Sequence, residues 1–287
     1  MKKKMSKRMR RRIRRRRICL SVILILLIAL VGWSIIDTHR FEVRYFTVSG
    51  APESFEGFKI AQISDLHNAE FGNDNQKLID ALAAESPDII VITGDLVDAR
   101  HTDLAVAESF MEQCTAIADC YYVTGNHEAS LGEQYTELEE KMTELGVNVL
   151  RNGSVRIRLG NDFIRLIGLD DPGFMATTDV SGEIDATLES LANDDYTILL
   201  AHRPEYISEY ADWDIDLVLS RHAHGGQVRL PFIGGVYAPG QGFFPKYTSG
   251  EYTVGNTQMI VSRGLGNSLC PIRVNDTPQI VIVTLEP

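Results

Sequence analysis

Cysteine is scarce. The chain has four in 287 residues, with no C-x-x-C pair and no zinc-finger spacing, which leaves no thiolate set for a structural zinc. Cys19 falls inside an apolar run. Cys114 and Cys120 read either as a disulfide or as two buried thiols, and the thiols are favoured because a domain of this size needs no staple. No internal repeat is present, and the only low-complexity stretch is a basic N-terminal tail, so the body reads as one compact domain. Apolar residues at 44% and charged residues at 23% exclude a disordered or fibrous chain. Bases are also scarce once the tail is set aside. Residues 1–17 hold 12 Lys and Arg and no acid, so 16 bases face all 39 acids from Asp37 to Pro287, and the overall charge of −11 conceals a body at −23. Nucleic-acid binding rests on bases that neutralise phosphates, so neither DNA nor RNA is expected as a partner, and no obligate protein partner is indicated.

Present instead is a 19-residue run without charge, Ile18 to Ile36 (ICLSVILILLIALVGWSII). As a helix rising 1.5 Å per residue it approaches the roughly 30 Å hydrocarbon core of a bilayer. The basic segment Lys2–Arg17 directly before it holds the N-terminus in the cytoplasm and exports the rest. A cleaved signal peptide is the rival reading, but such peptides have an apolar core of about 7–15 residues and a small-residue cleavage site, whereas this run ends in WSIIDTHR. Arg16-Arg17 also matches a twin-arginine signal, a match of little weight in so dense an arginine run. The expected organisation is a cytoplasmic tail over residues 1–17, a transmembrane signal-anchor over 18–36, a linker and first strand over 37–57, and an extracytoplasmic domain over 58–287.

Within the body, short apolar runs alternate with loops and helical stretches. Lys59–Ser64, Asp88–Thr93, Cys120–Thr124, Thr197–Ala201 and Asp216–Ser220 read as buried strands. Asn75–Glu85, Asp103–Ala118 and Glu133–Leu145 carry apolar residues at helical spacing. Val155–Leu159 and Phe163–Leu169 read as a hairpin turned by Gly160-Asn161-Asp162, and Met259–Ser262 and Ile280–Leu285 as late strands. Strands alternating with helices and then joined by hairpins predict a mixed α/β sandwich.

Each of the five buried strands runs into polar donors: Asp65 and His67, Asp95, Asn126 with His127 and Glu128, His202, and His222 with His224. Ligands of open α/β sheets bind beyond the carboxyl ends of the strands, so five loops holding five of the seven histidines converge. In extended chain, residues i and i+2 face one side, which would let Asp65 act with His67 and His222 with His224. Imidazole, carboxylate and amide oxygen without thiolate suit Mn²⁺, Fe or Zn²⁺. Two carboxylates and a hydroxide offset three of the four charges on two divalent ions, leaving about one positive charge to receive a phosphate.

The series Asp65-x-His67, Gly94-Asp95, Gly125-Asn126-His127, His202 and His222-x-His224 resembles the calcineurin-like metallophosphoesterase superfamily in order and in gaps, 30 residues from Asp65 to Asp95 and 31 from Asp95 to Asn126. The resemblance spans about Lys59 to Pro287. It is nearest to the membrane-anchored bacterial branch, which shares Gly225-Gly226-Gln227 and an Arg-Gly-Leu-Gly segment, here Arg263–Gly266. It implies a four-layer α/β/β/α sandwich behind one N-terminal transmembrane helix, with two divalent ions. Asp65, His67 and His224 would bind the first ion, Asn126, His202 and His222 the second, and Asp95 would bridge them. Catalysis would fall to Asp95 and His127: a water between ions about 3.5–4 Å apart attacks the phosphoryl group in line, and His127 faces the substrate as a proton donor with an ordinary pKa near 6.5. The implied activity is hydrolysis of phosphate-ester or diphosphate bonds. Anchoring favours a lipid-linked or cell-envelope substrate, and some relatives resemble hydrolases of nucleotide-linked acylated sugars. A broad phosphodiesterase for small soluble substrates and a non-catalytic metal-binding envelope module are the alternatives.

One position departs from the pattern. Arg221 stands where the family has glycine in Gly-His-x-His. It is expected to face solvent, or else to contact a substrate phosphate; Arg263 and Arg203 are candidate phosphate contacts. Asp98 and Glu128 read either as groups orienting neighbouring ligands or as solvated loop acids. Pro231–Gly250, with five Gly, three Pro and five aromatics, excludes regular helix or central strand. It is expected as a packed loop or as a pocket rim where Phe232, Phe243 and Phe244 meet lipid.

Overall fold

A computed structural model describes residues 7–191, 195–267 and 273–287. The chain starts with α1 (Lys7–Thr38), followed by β1 (Glu42–Ser49), β2 (Lys59–Ile63), α2 (Gln76–Glu85), β3 (Ile89–Thr93), α3 (Leu104–Thr115), β4 (Asp119–Val123), α4 (Asn126–Ala129), α5 (Glu133–Glu144) and β5 (Asn148–Val149). It continues with β6 (Gly153–Leu159), β7 (Asp162–Leu169), α6 (Val180–Leu191), β8 (Tyr196–Ala201), α7 (Ile207–Ala211) and β9 (Leu217–Ser220). Four two-residue strands follow, β10 (Arg229–Leu230), β11 (Gly234–Gly235), β12 (Tyr237–Ala238) and β13 (Gly242–Phe243), then β14 (Gly250–Val254), β15 (Thr257–Val261) and β16 (Gln279–Glu286).

Two six-stranded sheets result, in the orders β1-β16-β2-β3-β4-β5 and β14-β15-β9-β8-β7-β6. Side chains alternate across each strand, and both faces of each sheet are apolar. In β3, Ile89 and Val91 join the cluster between the sheets, while Ile90 and Ile92 pack under α2, α3 and α5 with Leu78, Phe110 and Leu138. In β8, Ile198 and Leu200 face the first sheet, and Leu199 packs with Ile184 of α6 and Tyr210 of α7. Helices cover both outer faces, which completes the four-layer α/β/β/α sandwich. The strands β2, β3 and β4 are mutually parallel, as are β7, β8 and β9, so their carboxyl ends emerge together in each sheet. Gln62 ties the sheets beside that edge by donating to the Ser220 carbonyl at 3.1 Å.

The hairpin of β6 and β7 turns on Gly160-Asn161, pairing Leu159 with Asp162. Cys114 and Cys120 are buried free thiols, and Cys270 lies outside the described residues. The run Ile18–Ile36 falls within the 32-residue α1, whose first third is almost wholly basic. Side chains at 26, 27, 29–31, 35 and 36 lie outside the described ones. Among the described residues no helix is long and apolar enough to cross a membrane, so the expected transmembrane helix is not found. The end of α1 meets the domain through Ser34, which is buried and donates its hydroxyl to the Arg273 carbonyl.

Candidate metal centre

The loops after β2, β3, β4, β8 and β9 meet at one place. Asp65, His67 and His224 form one buried group of potential ligand atoms, and Asp95, His202 and His222 a second, each with its atoms within 4.8 Å of one another. In the first group, Asp65 Oδ2 lies 3.3 Å from His67 Nε2 and 3.4 Å from His224 Nε2. In the second, His202 Nε2 lies 3.4 Å from Asp95 Oδ2, 3.1 Å from His222 Nδ1 and 3.3 Å from Asn126 Oδ1. Asp95 Oδ2 is also 3.6 Å from His67 Nε2, so Asp95 touches both groups. All seven side chains expected as ligands are thus together.

The local geometry is not that of extended chain. Asp65, His67, Asp95, His222 and His224 all have positive φ, between 45° and 58°, a region that costs non-glycine residues energy and is tolerated where surrounding structure enforces it. Each paired loop therefore turns its two side chains inward by left-handed steps, which corrects the expectation from strand alternation. Neighbouring backbone supplies the constraint. Asp65 N–H donates to the Gly94 carbonyl, His67 N–H to the Asp95 carbonyl, and Gly266 N–H to the Asp65 carbonyl. Two glycines let the loops close up. A side chain on Gly94 would strike His202 Nδ1 and the Gly125 backbone, and one on Gly125 would strike Asp95.

Around the ligands sits a set of orienting groups. His202 Nδ1–H donates to the Thr93 carbonyl at 2.8 Å, which turns Nε2 toward Asp95, Asn126 and His222. Burial works to lower His202, but the facing Asp95 carboxylate raises it to about 9. Burial disfavours the charge of Asp95, yet His202 and His67 hold its carboxyl below the usual range. Glu128 is no solvated acid. It is fully buried and accepts N–H bonds from Gly125, Asp95 and Leu96 at 2.8 Å each, clamping the two ligand loops together. Burial and the charge of Asp95 raise it to about 7. Asp98 lies 3.3 Å from His127 Nδ1, which also accepts the Ala99 N–H at 2.9 Å. Burial lowers His127 from its ordinary value. A neutral ring whose Nδ1 accepts from Ala99 carries its proton on Nε2.

The cations fall elsewhere than expected. Arg221 is wholly buried, not solvent-facing, and its guanidinium pairs with Asp65. Arg263 lies behind that loop, bonded to Ser249 at 3.0 Å and near Glu42 at 3.4 Å. A cavity of about 80 Å³ over the ligands is lined by Asp95, Asn126, His127, His222 and His224 together with Arg100, Gln227 and Pro239. Its cation is Arg100, which the sequence reading missed because a loop arginine outside every motif carries no local signal. Also missed was Asp171, which binds Arg203 at 2.6 Å and sets Arg203 Nη1 at 2.8 Å from His222 Nε2. β10 and the segment 231–250 form two small hairpins, β10–β11 and β12–β13, and Pro239 of the segment lines the cavity. Phe232, Phe243 and Phe244 stand exposed on them.

The donor set fits divalent metal ions. Buried Asp65 Oδ1, His67 Nδ1 and Nε2, Asp95 Oδ2 and His224 Nδ1 make no hydrogen bond, and buried polar atoms in that state are costly unless coordinated. Imidazole and carboxylate suit Mn, Fe or Zn.

A family model described as calcineurin-like phosphoesterase matches residues 58–230. The chain is 32% identical to an uncharacterized metallophosphoesterase, YkuE, of Bacillus subtilis, over 88% of this chain and 87% of that one. It is 29% identical to the phosphodiesterase YaeI of Escherichia coli, over 88% and 89%. Among solved structures, TT1561 of Thermus thermophilus superposes with a TM-score of 0.52 at 12% identity, covering 73% of this chain and 90% of that one, a likeness of fold.

Proposed function

The chain belongs to the calcineurin-like phosphoesterase family and is a metallophosphoesterase, a hydrolase of phosphate esters, and from that premise we propose that it uses two divalent ions on a phosphate carried by a lipid or the cell envelope. The observation that carries the two-metal reading is the pair of buried ligand groups that share contact with Asp95. Asp65, His67 and His224 would hold one ion, Asn126, His202 and His222 the other, with Asp95 between them. When bound, such a pair supplies Lewis-acid activation of water and stabilises charge on the phosphoryl group. The remaining roles belong to side chains. His202 is fixed by Thr93, and His222 by Arg203, whose own charge Asp171 offsets. Arg100, at the cavity mouth, attracts the phosphate. His127, neutral with its proton on Nε2, would donate a hydrogen bond to the leaving oxygen.

The substrate reading is supported by position. Thr38 and His39, at the end of α1, line a cavity of about 230 Å³ together with His67, Phe71 and Leu265, so the helix carrying the uncharged run ends beside a metal ligand. Ile18, Leu20, Ile23, Leu24, Ile25 and Ile28 of that run are exposed, as expected of a surface whose solvent is lipid. The N-terminal basic tail would lie in the cytoplasm and the catalytic domain outside it.

The test is hydrolysis of bis-p-nitrophenyl phosphate and p-nitrophenyl phosphate by the full chain in detergent. It is run after chelation and again with Mn²⁺, Fe²⁺ or Zn²⁺ restored, with Asp95→Asn as control. Metal-restored turnover that Asp95→Asn abolishes supports the reading. Turnover indifferent to chelation overturns it. A parallel assay on a lipid diphosphate in mixed micelles tests the substrate, and equal rates on lipid and soluble esters would favour a broad soluble phosphodiesterase.

A further inference from the structure

Arg221 follows directly on β9, and its side chain has no exposed surface. Its Nη2 donates to the Arg263 carbonyl at 2.5 Å, and its Nη1 meets Asp65 Oδ2. The space it fills is opened by a glycine: a side chain on Gly264, at φ +64°, would run into the guanidinium. Asp65 Oδ2 is the same oxygen that faces His67 Nε2 and His224 Nε2, so Arg221 engages a ligand atom of the first metal site. The second site has an arginine too, but differently placed. Arg203 is held by Asp171 at 2.6 Å and touches His222 Nε2, while Nδ1 of that ring faces His202. There the positive charge is offset by Asp171 and meets a ring nitrogen, not a ligand carboxylate. At the first site it rests on the ligand oxygen itself, and a cation arriving there has to share or displace the guanidinium.

Resting on the two-metal reading of this centre, we infer that Arg221 makes the two sites unequal: the Asp95, His202 and His222 site fills first and tightly, and the Asp65, His67 and His224 site fills second and weakly. Arg221 is a positioning residue, acting through Asp65. The inequality amounts to roughly tenfold or more in affinity, because a like unit charge within a few ångströms of a site in protein of effective dielectric near 20 exceeds that ratio even after partial screening.

Full-length protein in detergent, stripped by chelation, is titrated with Mn²⁺ by calorimetry, with free Mn²⁺ counted by its paramagnetic resonance signal. Wild type shows two steps separated by roughly tenfold or more. Arg221→Met, which keeps the packing and removes the charge, raises the second affinity until the steps merge, and Arg221→Gly does the same. Arg221→Lys, which keeps the charge, retains the split, an outcome that a purely structural role would not produce. Circular dichroism confirms that each variant is folded. If the second Mn²⁺ binds wild type and Arg221→Met equally, or Arg221→Met more weakly, the inference falls while the two-metal reading stands. If no variant and no wild type binds Mn²⁺, both fall.

Discussion

At the scale of single residues, the chemistry turns on how His127 is held. Its ring is largely buried, and burial is the main influence lowering it below the ordinary 6.5, with His67 also pushing it down and Asp95 pushing it up. The Ala99 N–H bond to Nδ1 favours the same neutral ring. The neutral ring is the working form, and a lowered pKa means that adding a proton to Nδ1, at the loss of the Ala99 bond, takes more acid, so the acid limb of kcat/KM attributable to this ring lies below pH 6.5. A rate profile from pH 5 to 8 checks this, and a limb at or above 6.5 that disappears in His127→Ala would contradict the burial argument. His127→Ala should also lower kcat by about 10²- to 10⁴-fold while both metals stay bound, because Asp65, His67, Asp95, Asn126, His202, His222 and His224 keep their positions without it. Metal content per chain distinguishes that outcome from loss of a ligand. The ligand residues were legible in the sequence because each stands at the end of an apolar run. Their positive φ was not, since left-handed backbone at Asp65 and His67 is imposed by hydrogen bonds from other loops. The burial of Arg221 was illegible for a similar reason, depending on room left by Gly264, which is remote in sequence.

At the scale of elements, the site depends on how closely the loops after β3, β4 and β8 approach. Gly94 and Gly132 both have positive φ, 88° and 60°, but only Gly94 has atoms where a side chain would go. Gly132→Ala should therefore cost about 1 kcal/mol of backbone strain and leave the metals bound. Gly94→Ala adds a collision with His202 and should cost more than that and release metal. Urea unfolding with a metal count on each variant separates the two, and equal losses would show that crowding at Gly94 is unimportant. Cys114, in α3, and Cys120, in β4, are buried, and burial pushes the Cys120 thiol up to about 12 and raises Cys114 as well. Neither should alkylate at pH 8 until denaturant opens the domain, which mass spectrometry in a Cys19→Ser, Cys270→Ser background reads directly. Elements with strong periodicity were legible, including β2, β3, β4, α2, α3 and α5. Those that went unassigned were weak in pattern: α6 carries Gly182 in its first turn and buries only Ile184 and Leu188, α7 is five residues long, and β14 is an edge strand with no fully buried residue.

At the scale of the whole molecule, the metal centre is the place where two halves are joined. Asp65, His67, Asp95 and Asn126 come from loops of the first sheet, and His202, His222 and His224 from loops of the second. The apolar layer between the sheets, including Val91, Ile198, Leu200 and Val281, holds them face to face without reference to metal. Leu200→Ala should accordingly cost about 2–5 kcal/mol whether or not metal is present. Ions held by ligands from both sheets, as proposed, would add a second bond between them, present only in the folded chain. At a free metal concentration of about 100 times Kd that link is worth about 2.7 kcal/mol, or roughly 5–10 °C in the melting temperature of a domain this size. Chelation should lower the melting temperature by that amount in the wild type and by about the same amount in Leu200→Ala, because the substituted side chain lies in the apolar layer and touches no ligand. Asp95→Asn, which weakens a carboxylate in contact with both ligand groups, should lose most of the metal-dependent shift while its chelated form melts close to the chelated wild type. Calorimetry on the three proteins with and without Mn²⁺ decides it. A metal-dependent shift that survives Asp95→Asn intact would mean that the ions stabilise each sheet separately and that Asp95 does not bridge them.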